Sequence, residues 1–172
     1  MTDSIELYYQ RQEAIYQFLV ASREVSFAQD VEQAIRKNLA LAASSFFEQE
    51  VVDIVCGFTS MKSSGCNPLV SFVRNKALKR QFHSLFDWEK GKNANGFFSL
   101  FGEDFKADAE SEVKSDARLA ESVKAFLELG HLRNCIVHQN YADFVSDKTS
   151  VELLATYRTA RIFVDYLRKK LV

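Results

Sequence analysis

Two of the three histidines in this 172-residue chain fall between His131 and Tyr141, a stretch that also holds Arg133, Asn134, Cys135 and Asn140. These residue types can move protons and hold anions. An imidazole titrates near neutral pH and serves as general base or acid. A guanidinium is planar, always charged and matched to phosphate oxygens. If the stretch is helical, at about 100° per residue, Ala125, Phe126, Leu129, Leu132 and Ile136 form one apolar stripe. His131, Asn134 and His138 fall on another side, within about 60° of one another, and Arg133 lies roughly 140° from His138. The spacing therefore predicts a buried face and a separate polar face on one helix. Arg133 must swing its long side chain round to join that face, or act on a neighbouring subunit's site. A solvated surface helix would show the same polar face, so both readings stand on spacing alone.

Other groupings carry less. Cys135 and His138 are three apart and could form a thiol–imidazole dyad, but packing explains the thiol better. His131 and His138 are seven apart, and no cysteine or carboxylate completes a tetrahedral set, so no metal is expected. His83 sits among Phe82, Leu85 and Phe86 and reads as a core-edge histidine. Arg74, Lys76, Lys79 and Arg80 give one helix a basic side, either a solvated face or a track for an RNA backbone. The acidic run from Glu103 to Asp116 reads as a solvated helix start. No P-loop, GxGxxG or GxSxG is present, and no cofactor is expected.

The elements that would position these residues are helical. Fifteen Phe, one Pro and six Gly make a chain rich in core formers and poor in turn residues. Apolar spacings of three and four run over residues 5–24 and about 28–55, and the passage LALAASSFF is apolar on nearly every face. Residues 57–68 read as a loop, with Asn67 as N-cap and Pro68 at the first helical position. A helix is expected over 69–86, then an irregular stretch over 87–104 with Phe97, Phe98, Leu100 and Phe101 tucked in. The motif helix is expected over about 117–139, followed by a loop over 140–148. Thr149 to Glu152 is a capping box opening the last helix. The expectation is an all-α bundle of four to five helices in a single domain, with residues 1–27 as an N-terminal helix and 28–172 as the core bundle.

Net charge is −1, which argues against a generic electrostatic nucleic-acid binder. It conceals patches: −5 over residues 1–60, +5 over 61–100, −4 over 101–116 and +3 over 117–172. Three cysteines without CxxC spacing fit a reducing cytoplasm, with the thiols as small buried hydrophobes. The polar, acidic N-terminus lacks a signal-peptide core, and no stretch approaches the roughly 20 apolar residues of a membrane span. A cytoplasmic protein is expected.

The segment Arg133-Asn134-x-x-x-His138, within LRNCIVHQN, resembles the Rx4-6H motif of the HEPN superfamily, and its RiboL-PSP type is the nearest subgroup. An all-helical setting, a buried second helix and a motif in the next-to-last helix are similar too. The resemblance implies a metal-independent endoribonuclease, with two motif helices facing each other in a homodimer. It assigns His138 to proton transfer, Arg133 to the phosphate and Asn134 to orienting either. Glu48 would hydrogen-bond Arg133 or His138, with His131 and Tyr141 in support. RNA is the implied partner, with a cognate antitoxin or defence-system protein, in bacterial anti-phage defence or a toxin–antitoxin system. The alternative is a non-catalytic HEPN module acting as an RNA-binding or protein-interaction adaptor. Toxin members that pair with a nucleotidyltransferase often carry Tyr two positions after the His; here Asn140 holds that place and Tyr141 follows it.

Overall fold

In a computed structural model, residues 3–89 and 91–171 are described; they are helical, with no β-strand among them. Five long helices dominate: α1 (Ser4–Ala21), α2 (Val25–Lys62), α6 (Glu103–Ser115), α7 (Ala117–His138) and α8 (Ser150–Lys170). Three short helices, α3 (Asn67–Phe72), α4 (Phe82–Leu85) and α5 (Asn95–Ser99), lie between α2 and α6. The expected four to five helices are thus the long ones.

The helix ends follow from local chemistry. Asp3 caps α1 through its carboxylate, which accepts from the Ile5 and Glu6 amides. Asp116 caps α7 in the same way, at 2.8 Å from the Arg118 amide and 3.1 Å from that of Leu119. The Thr149–Glu152 capping box forms as expected: Glu152 accepts from the Thr149 amide and Thr149 accepts from the Glu152 amide.

Six expectations need correction. Residues 57–62 are not loop, because α2 continues through exposed Gly57 to Lys62, and only Ser63–Cys66 turn. Gly65, at φ +79°, makes that turn; its amide reaches back to the Ser60 carbonyl at 2.7 Å. Cys66, not Asn67, takes the N-cap position of α3, with Pro68 just inside. The expected helix over 69–86 is broken by a π-helical turn at Val73–Leu78 and a turn at 79–81. Leu100 is exposed, whereas Phe97 and Phe98 are buried. His83 is exposed rather than at a core edge, and its carbonyl accepts from Trp88 Nε1. Of the thiols, Cys56 is buried but Cys66 is exposed.

The helices group into two compact units. The first comprises residues 1–46 and 129–158. Its buried residues include Ile5, Ile35, Leu39, Ala43, Leu129, Ile136, Leu153 and Tyr157. Tyr157 meets the Phe46 ring edge-on at 5.9 Å, and its hydroxyl donates to the Asp3 carboxylate. Arg158 forks onto Glu6 with two bonds of 2.6 and 2.7 Å, an exposed pair of modest worth.

The second unit comprises residues 47–128 and 159–172. Its core is aromatic. Phe86 stacks on Phe97 at 4.6 Å and meets Phe126 at 5.0 Å, and Phe126 meets Phe163 at 5.1 Å. Offset and edge-on pairs of this kind add about 0.5–1.5 kcal/mol each beyond their burial.

Candidate functional site

The site residues of the motif helix all lie in the first unit. Ser44 of α2 donates to the Leu129 carbonyl at 2.8 Å, fixing α7 one turn before Arg133. Leu129 and Ile136 are buried, which fixes the roll of the helix, whereas Leu132 is only half-buried. That roll leaves His131 and His138 exposed and Asn134 half-buried. The expected separation of a buried stripe and a polar face therefore exists.

Arg133 resolves its angular mismatch by reaching sideways. Its Nη1 donates to Asn134 Oδ1 at 3.1 Å, so the guanidinium turns toward the polar face. Both side chains are half-buried, which limits their rotamers. His138 is the last residue of α7, and its side chain makes no hydrogen bond or ion pair among the described residues. The residue is exposed to solvent. His131 turns to its own helix: its Nε2 lies 3.4 Å from Cys135 Sγ.

Past His138 the chain turns on Asn140. The Asn140 carbonyl accepts from the amides of Asp143 and Phe144, and its side chain joins the Ala142 amide and the Asp143 carboxylate. The connection to α8 is held at several points by residues 32–38 of α2. Lys37 Nζ donates to the carbonyls of Tyr141 at 2.8 Å and Ala142 at 3.1 Å, and lies 5.0 Å from the Tyr141 ring centroid. Asn38 accepts from the Tyr141 hydroxyl at 2.8 Å. Arg36 reaches the Ser146 carbonyl and pairs with Glu32, which accepts from the Ser150 amide and hydroxyl. Burial holds the Tyr8 phenol above its ordinary value, despite a hydrogen bond with Asn38.

Lys37, Asn38, Arg36 and Glu32 were not singled out from the sequence. Lys37 falls roughly 60° outside the arc of α2 that carries Ala28, Ile35, Leu39 and Ala40. Its 8% exposure comes from a loop more than a hundred residues away. No local pattern signals that.

The remaining expected residues belong to the second unit. Glu48 is half-buried on α2, and its side chain makes no hydrogen bond or ion pair among the described residues. Arg74 pairs with Asp53 at 3.3 Å, whereas Lys76, Lys79 and Arg80 are exposed. No cluster of three or more metal-ligating side chains occurs among the described residues.

Fold and site together define an all-α module with an RNxxxH motif closing its next-to-last helix. The family model of RiboL-PSP-HEPN matches residues 6–172, and the chain belongs to this HEPN family. No curated protein and no solved structure matches it. No described helix is long and apolar enough to cross a membrane.

Proposed function

We propose that this HEPN module is a metal-independent endoribonuclease that works as a homodimer. The observation that carries the reading is the Arg133 guanidinium turned onto Asn134, on the same polar face as an unengaged His138. RNA can be cut without metal because its 2′-hydroxyl is a built-in nucleophile. His138 takes the proton from that hydroxyl, the 2′-oxygen bonds to phosphorus, and the bond to the 5′-oxygen breaks. The leaving oxygen must gain a proton, which His138 of a second copy supplies when two motif helices face each other. Arg133 neutralises charge on the pentacoordinate phosphorus, and Asn134 fixes the guanidinium. The products are a 2′,3′-cyclic phosphate and a 5′-hydroxyl. His131 and Tyr141 are supporting groups beside the motif, and the setting is bacterial defence or a toxin–antitoxin pair.

The adaptor reading draws on a different observation. Val137, Val145 and Val151 of the first unit are each more than half exposed. Apolar side chains there suit a protein partner, such as an antitoxin.

Incubation of purified protein with total RNA in EDTA, beside Arg133→Ala and His138→Ala, tests the proposal. Cleavage by the wild type alone is expected. Equal cleavage by the variants would remove the site assignment, and none by any protein would favour the adaptor.

A further inference from the structure

Tyr141 is held more tightly than an exposed loop residue needs to be. Its carbonyl accepts from Lys37, its hydroxyl donates to Asn38, and the Lys37 ammonium lies 5.0 Å from its ring centroid. The Ala142 carbonyl beside it accepts from the same ammonium. Lys37 itself is buried, with these main-chain oxygens as its hydrogen-bond acceptors. Yet Tyr141 keeps 44% of its surface exposed. Its carbonyl and hydroxyl are held while much of the residue stays open to solvent. It stands three residues beyond His138.

We propose that Tyr141 is a preorganised stacking platform for one unpaired nucleobase of an RNA strand at the His138 site. The inference rests on the ribonuclease reading and names its substrate class as single-stranded RNA. Stacking on aromatic rings is how proteins take unpaired bases, whatever the sequence. A platform binds best when its rotamer is fixed beforehand, because ordering then costs nothing at the moment of binding. Lys37 and Asn38 supply that order. The Lys37 ammonium, 5.0 Å from the centroid, draws electron density from the ring, which favours an electron-rich purine as stacking partner.

The test uses a fluorescein-labelled 2′-O-methyl RNA hexamer rich in adenine, which cannot be cut because its nucleophile is blocked. Its affinity is measured by anisotropy for the wild type, Tyr141→Phe and Tyr141→Leu. Both variants lose the bond to Asn38, so the difference between them isolates the ring. Tyr141→Leu is expected to bind about 5- to 150-fold more weakly than Tyr141→Phe, the range set by one lost stacking contact. Thermal midpoints check that both variants fold. Equal affinity of the two variants overturns the platform and leaves the ribonuclease reading standing. No binding by the wild type overturns the platform together with RNA recognition at this site.

Discussion

Replacing Lys37 with Met removes a buried ammonium and keeps most of its volume, so it tests whether α2 holds the loop beyond His138. Two opposing effects set the size. Each hydrogen bond from a charged donor contributes about 1.5–3 kcal/mol, and Lys37 makes two, to Tyr141 and Ala142. Against this, burying an ammonium costs several kcal/mol, which Met would avoid. The carbonyls left behind belong to exposed residues, so water reaches them. The bonds win by a narrow margin: Lys37→Met is expected to lose about 1–2 kcal/mol, or about 3–6 °C in thermal midpoint. The loss is local, so amide exchange should quicken over residues 139–144 and stay unchanged in the middle of α7. Urea unfolding and exchange mass spectrometry read both. A variant as stable as the wild type, with unaltered exchange over 139–144, would refute the clamp.

Three further outcomes are expected. Thr149→Ala removes the cap of α8 and should cost about 1 kcal/mol, seen as a lower urea midpoint with an unchanged slope. Arg133→Lys keeps the charge but loses the planar guanidinium whose Nη1 bonds Asn134; cleavage should fall at least about tenfold while stability stays within about 0.5 kcal/mol. The Glu112 carboxyl is held below its ordinary value of 4.5, first by the Lys170 amine and then by the Tyr166 hydroxyl. A carboxyl depressed by folding stabilises fully above its unfolded value and loses that contribution as pH falls through its folded value. Thermal midpoints should therefore be level from neutrality toward pH 5, fall below about 4.5, and fall less steeply in Glu112→Gln.

What was legible in the sequence depended on distance along the chain. The polar face of α7 was legible because helix periodicity alone separates His131, Asn134 and His138 from Leu129 and Ile136. The capping box at Thr149 was legible because both partners lie within one turn. The course of α2 beyond Gly57 was not, because a glycine and a run of serines look the same in a helix end as in a loop. The π-helical turn after Phe72 was hidden too, since its residues are ordinary helix formers. The α2 clamp was out of reach for a different reason: Lys37 meets Tyr141 across 104 positions, and the burial of its charge exists only once the loop has folded over it. Spacing alone leaves Arg133 a choice between its own helix face and a neighbouring subunit; within the chain its Nη1 donates to Asn134 Oδ1.

The central claim is that Arg133 and His138 cut RNA through its own 2′-hydroxyl. The most direct measurement pairs an RNA oligonucleotide that the protein cuts with the same strand carrying a single 2′-deoxynucleotide just 5′ of the cut, both in EDTA, with product ends read by mass spectrometry. The expected result is a 2′,3′-cyclic phosphate and a 5′-hydroxyl from the first strand, no cut at that position in the second, and no products from His138→Ala. Cleavage of the deoxy-substituted strand at the same bond would contradict it.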